Sequence, residues 1–124
     1  MDIAILLYER FTALDAVGPY QVLVHLPDAT VTFVAANSGL VHTDAGQLAL
    51  TAEATLADLS EPDILLVPGG PGQTALMNDE VVLSWLRTAH AGTTWTTSVC
   101  TGSLILGAAG ILAGGPLRES PPVQ

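Results

Sequence analysis

One cysteine occurs in the chain, Cys100, between the β-branched run Thr93 to Val99 and the small-residue segment opened by Thr101-Gly102. A thiol where a strand gives way to a helix meets unpaired N–H groups and the positive end of the helix dipole, and both favour the thiolate. Such a turn also exposes the side chain, as in the nucleophile elbow of hydrolases. Two readings stay open: an attacking thiolate, or an inert buried cysteine, the commoner fate of a lone one. Asp15 lies in the string Thr12-Ala13-Leu14-Asp15-Ala16-Val17-Gly18-Pro19. A carboxylate at a strand-to-helix junction reads first as an N-cap and second as a general acid/base for Cys100. Gly69, Gly70 and Gly72, in Pro68-Gly69-Gly70-Pro71-Gly72, could present N–H groups to an anionic intermediate. They could equally serve a tight turn, and both can hold. The Lys and Ser/Thr of a phosphate loop are missing from this turn. His25, His42 and His90 are scattered and have no metal-ligand spacing, so neither a metal nor another cofactor is expected. Trp85 and Trp95 read as core or interface.

These residues need elements to hold them. Ile3 to Tyr8 is a continuous apolar run, the mark of a strand buried on both faces of a parallel sheet. Ala13 to Leu26 has near-helical apolar spacing, interrupted by Gly18-Pro19, which predicts a helix with an irregular first turn. Thr30 to Ala36 is β-branched and predicts a strand. Residues 37–54 predict a short strand pair or an edge ribbon, and Thr55 to Leu59 a helical turn capped by Thr55 or Ser60. Asp63 to Val67 is another buried strand, stopped by the Pro-Gly turn. Asp79 to His90 is an amphipathic helix with Asn78 as its N-cap. Thr93 to Val99 is a strand, and Gly102 to Leu112 a small-residue helix ended by Gly114-Gly115-Pro116. The order predicts an α/β fold, a doubly wound, mostly parallel sheet with helices on both faces and right-handed crossovers. Asp15, the Pro-Gly turn and Cys100 all follow strands, where such sheets bind ligands.

Composition narrows the function. At 124 residues the chain reads as a single domain, 1–124, with 114–124 a frayed tail. Hydrophobic residues make up 49% and charged residues 12%, and the mean hydropathy is +0.50, which excludes intrinsic disorder. So little polar surface suggests that a partner covers part of the apolar surface. Twelve acids against three bases, a formal −9, disfavour nucleic acid and anionic membranes as partners. No basic leader precedes the first apolar run, and no uncharged run reaches the ~20 residues of a membrane span without Gly or Pro. With a lone cysteine and hence no internal disulfide, the expected setting is cytoplasmic.

Three strings, FTALDAVGPYQVL (Phe11–Leu23), LLVPGGPG (Leu65–Gly72) and TSVCTGSLILGAAGIL (Thr97–Leu112), resemble the DJ-1/PfpI superfamily. They are most similar to its isocyanide hydratases and to the sensor domains of GlxA-type AraC regulators. The resemblance covers residues 2 to about 113. It implies a flavodoxin-like sheet, a homodimer, a small-molecule substrate and a reactive thiolate at Cys100. It also implies Asp15 as general acid/base, with aspartate rather than glutamate pointing to the hydratase branch. Thr101 would help hold the thiolate or a bound water, and Gly70, with Gly69 beside it, would supply backbone donors. The implied reaction is hydration of an isocyanide to an N-substituted formamide. After Leu112 the sequence departs from the family: the expected Thr-Thr-His-Trp-like string is absent. The fold is therefore expected to be incomplete at its C-terminus, with a sheet edge and an apolar helix face uncovered. Two alternatives follow, a ligand-sensing half of a transcription regulator and an inactive remnant.

Overall fold

A strand without polar alternation needs cover on both faces, and Ile3, Ala4, Ile5 and Leu6 are all fully buried. They belong to β1 (Asp2–Leu6), the middle of the architecture. The computed structural model describes residues 1–59, 61–93, 95–98 and 118–119. In chain order β1 is followed by α1 (Ala13–Leu23), β2 (Thr30–Ala35), β3 (Gly39–His42), β4 (Ala49–Ala52) and β5 (Ala54–Thr55). A 3-10 turn (Leu56–Asp58), β6 (Ile64–Val67), α2 (Gln73–Leu76), α3 (Glu80–Gly92), β7 (Trp95–Ser98) and β8 (Arg118–Glu119) complete the described elements.

Six strands form one sheet in the order β5-β2-β1-β6-β7-β8, and every adjacent pair in it is parallel. The chain steps from β1 outward to β2, and from β6 outward in the opposite direction to β7. Right-handed crossovers in opposite directions set α1 on one face and α3 on the other. The reversal falls between β1 and β6, which pair from Ile3↔Ile64 to Ile5↔Leu66. β3 and β4 form the separate antiparallel pair.

α3 buries Val82, Leu83, Trp85, Leu86 and Ala89 along one stripe. At its end the Thr93 hydroxyl donates to the His90 carbonyl at 3.1 Å. Its single proton thus spent, Thr93 accepts from the fully buried Thr96 hydroxyl at 2.8 Å. Thr96 in turn accepts from His90 Nδ1 at 2.7 Å, so the relay fixes the proton of neutral His90 on Nδ1. His90 is therefore a structural clamp between α3 and β7.

Several expectations need correction. α1 runs unbroken through Pro19 and stops at Leu23, three residues early. Pro19 removes only the N–H that would have bonded the Asp15 carbonyl. Leu14 and Val22, on its outer surface, are 74% and 68% exposed. α2 had no sequence counterpart. The cap of α3 is Asp79, whose Oδ1 accepts from Val81 N–H at 3.1 Å and Val82 N–H at 3.4 Å. Asn78, the expected cap, instead donates its side-chain N–H to the Thr74 carbonyl at 3.0 Å. At the 3-10 turn, the Asp58 carboxylate accepts from the Thr55 N–H and hydroxyl, and these two bonds hold its pKa below the usual value. Arg118–Glu119 pair in parallel with Thr97–Ser98, and the rest of the tail 114–124 lies outside the described residues. The expected helix 102–112 lies outside the described residues. Among the described residues no helix is long and apolar enough to cross a membrane.

Replacing Asp79 with Ala removes a cap and is expected to cost about 1 kcal/mol. Asn78→Ala, which loses one exposed bond, is expected to be near neutral. Urea unfolding midpoints of the two variants test the reassignment.

Candidate active site

Three strands deliver their carboxyl ends to one edge. β1, β6 and β7 are consecutive neighbours, and the register sets Val67, the last residue of β6, beside Ser98, the last of β7. Two strand spacings, about 10 Å, separate the axes of β1 and β7. Tyr8–Thr12 and then α1 follow β1, and the Pro68–Gly72 turn follows β6. Val99-Cys100-Thr101 follow β7 in sequence, so Cys100 and Thr101 lie outside the described residues.

The first two loops are laced together. The Thr12 N–H donates to the Gly69 carbonyl at 2.9 Å, and the Gly72 N–H donates to the Arg10 carbonyl at 3.1 Å. The Tyr8 hydroxyl donates to the Pro68 carbonyl at 2.7 Å. Gly70 has φ +150°, and a Cβ there would come within 2.7 Å of backbone atoms of Arg10, Phe11 and Thr12. A Cβ on Gly72 would collide with the Glu9 carbonyl. Arg10 itself takes a left-handed φ of 67° and donates its N–H to the His42 carbonyl at 2.9 Å. The hairpin of β3 and β4 thereby buttresses the same loop.

This arrangement corrects two expectations. Thr12, not Asp15, is the N-cap of α1; Asp15 stands at the third helical position and its N–H donates to the Thr12 carbonyl at 3.1 Å. A carboxylate at that position would complete a capping box through the N–H of residue 12, but that N–H is given to Gly69. The Gly72 N–H, one of the three considered as anion donors, is committed to Arg10. Gly69 and Gly70 lie at the switch point between β1 and β6.

Asp15 is only 7% exposed. Its charge is felt by Tyr8, whose ring is buried beside it. Burial first, and the Asp15 carboxylate second, push the Tyr8 phenol well above its usual pKa. Tyr8 is the site residue that sequence reasoning missed. Its signal was a phenol ending an otherwise apolar strand run, where a polar group must find a buried partner. Among the described residues no cluster of three His, Cys, Asp or Glu could hold a metal ion.

Comparison with known proteins bears on this edge. The DJ-1/PfpI family profile matches residues 1–117. The chain is 43% identical over 114 residues to an isonitrile hydratase of Pseudomonas putida, covering 92% of this chain and 50% of that protein. It thus spans about half the length of that relative. A ThiJ/PfpI family protein from Pseudomonas syringae superposes with a TM-score of 0.84 at 38% identity, over 89% of this chain and 46% of that one. A DJ-1 superfamily protein from Salmonella typhimurium shares the fold, with a TM-score of 0.79 at 24% identity over 97% of this chain and 75% of its own.

Two outcomes test the interlock. Gly70→Ala is expected to destabilise the chain by about 3 kcal/mol, through strain and backbone overlap together. Thermal and urea unfolding measure it, and a neutral result would contradict the geometry. Tyr8 is expected to stay protonated as pH passes about 10, the ordinary phenol value. Its folded pKa is raised, so its contribution to stability is complete below pH about 10 and is lost as pH rises further. Phenolate absorbance of the wild type and of Tyr8→Phe should coincide until the protein unfolds.

Proposed function

The chain belongs to the DJ-1/PfpI family, and from that premise we propose that it is an isocyanide hydratase acting through Cys100 and Asp15. The Cys100 thiolate adds to the terminal carbon of R–N≡C, forming a C–S bond. Asp15, holding the proton it has taken from the Cys100 thiol, delivers it to that carbon, leaving a thioimidate, R–N=CH–S–Cys100, and a carboxylate. The Asp15 carboxylate then takes one proton from water as the hydroxide adds to the same carbon, and passes that proton to the nitrogen. As the tetrahedral adduct R–NH–CH(OH)–S–Cys100 collapses, Asp15 takes up the hydroxyl proton, the C–S bond breaks to return the thiolate, and R–NH–CHO is released. The sum is one isocyanide plus one water to one formamide. A soft nucleophile and one adjacent acid/base suffice for this chemistry. In this reading the Thr101 hydroxyl and N–H hold the thiolate or the water, and Gly70 and Gly69 supply backbone donors to charge developing on the adduct.

The observation that carries the reading is Asp15, a carboxylate only 7% exposed. It stands in the first turn after β1, on the sheet edge where β7 leads into Val99-Cys100. A carboxylate so placed is within the neighbourhood a general acid/base for Cys100 requires. The 43% identity to an isonitrile hydratase supports the choice of substrate. The same reading carries a homodimer, for which the exposed Leu14 and Val22 of α1 are available apolar surface.

Cys100→Ser is expected to reduce formamide production to background, and Asp15→Asn to lower turnover roughly 10²–10⁴-fold. Both variants should keep the wild-type circular dichroism. The formyl proton signal in NMR measures turnover directly. Undiminished turnover by Cys100→Ser would reject the assignment. Alkylation of the thiol against pH should give an apparent pKa well below ~8.5.

A further inference from the structure

On the α3 side of the sheet a cavity of about 370 Å³ opens at the carboxyl ends of β1 and β2. This is at the small end of the range for ligand sites, about 300–1,000 Å³. Apolar walls come from Leu7 beyond β1, Ala36 beyond β2, Val41 of β3, Ala75 and Leu76 of α2, and Val82 of α3, with Asn37 and Ser38 as polar neighbours. Tyr8 and Gly72 contribute to the lining, whereas Asp15, Gly69 and Gly70 do not. The cavity therefore adjoins the edge that carries Asp15 and shares Tyr8 and Gly72 with it, without including the Asp15 carboxylate.

The charge on this cavity has one sign. Glu9 and Asp79 line it, and no Lys or Arg does so among the described residues. Asp79 is partly buried, and both of its helix-capping bonds fall on Oδ1, so Oδ2 takes neither. Among the described residues Glu9 meets the His42 backbone N–H at 3.4 Å and the His42 ring at 3.8 Å, and its side chain is 66% exposed. The partly buried Asp79 carboxylate, beside apolar walls, interacts more strongly with a counter-charge than one in open water. An anionic ligand would be repelled, and a cation gains an ion pair that a neutral ligand cannot form.

We propose that this cavity is a binding site for a small amphipathic cation, a short hydrocarbon body carrying a protonated amine. The body lies against Leu7, Val41, Leu76 and Val82, and the ammonium meets Asp79 and Glu9. The site does not depend on the chemistry of Cys100.

Amide NMR titration of the whole chain with n-hexylammonium, 1-hexanol and hexanoate tests the proposal. Hexylammonium is expected to shift the amides of Ala36, Val41 and Leu76 and to bind about fivefold more tightly than hexanol, the worth of one partly exposed ion pair. Hexanoate is expected not to bind. Asp79→Asn keeps a capping side chain and should erase the preference for the ammonium. Ala36→Trp and Ala75→Trp, both at exposed lining positions, should abolish binding without disturbing the core. Cys100→Ser should bind as the wild type does, which separates this site from the proposed catalytic one. Absence of shifts, equal affinity for hexylammonium and hexanol, binding of hexanoate, or binding that survives in both folded Trp variants would each overturn the proposal.

Discussion

The contact on which this structure depends is between two stretches of backbone, where the loop leaving β1 meets the turn leaving β6. No side chain fits between them at residues 70 and 72, and glycine is the only residue that leaves room. Because the strands approach so closely there, the Thr12 N–H reaches the Gly69 carbonyl and α1 starts without a side-chain cap. The position of Asp15 follows from this. Had Thr12 kept its N–H for the helix, the carboxylate three residues on would have completed a capping box. The interlock is thus both the scaffold of the edge and the reason that Asp15 is not the partner of the Thr12 N–H.

Topology makes such an edge available. The sheet reverses direction between β1 and β6, so α1 and α3 lie on opposite faces and the loops at the reversal are covered by neither. Open parallel sheets bind ligands at that place. The strands on either side are deeply buried: Ile3 to Leu6 and Leu65 and Val67 show no exposure. Rigid strands carry loops pinned by main-chain bonds, an arrangement that suits positioning a reacting group to within fractions of an ångström.

What the sequence reveals of this architecture follows physical lines. Strands buried on both faces announce themselves by uninterrupted apolar runs, as β1 and β6 do; β2 and β7 were legible from β-branched residues instead, and the parallel sheet from the order of strands and helices. The β3–β4 pair and the turn after Thr55 were legible from glycine placement and polar punctuation. α2 was not, because four residues carry no periodicity and the Pro-Gly string before them hides a helix start. Asn78 and Asp79 are equally good caps in isolation, and only the packing of α3 selects the second. Gly72 could be read as a turn residue, but not as a donor already spent on Arg10. That commitment is made across 62 positions of sequence by the pairing of β1 with β6. Tyr8 escaped notice because its partners, Pro68 and Asp15, are brought to it by two different loops. Cys100 and Thr101, the readiest residues to interpret from sequence, fall outside the described residues and rest on the motif around them.

The proposed chemistry draws on a narrow part of the chain. Asp15, the glycines at 69 and 70, Cys100 and Thr101 all fall within the residues 1–117 that the family profile matches. All stand on or directly after the three adjacent strands β1, β6 and β7. The chain spans half of its hydratase relative, yet the strands that would bring nucleophile, acid/base and backbone donors to one edge are within that half. Asp15, on the β1 side of that edge, is only 7% exposed in the described structure, so a charge there is felt more strongly by its neighbours than in open water. The Tyr8 phenol records this, its pKa raised first by burial and second by the Asp15 carboxylate.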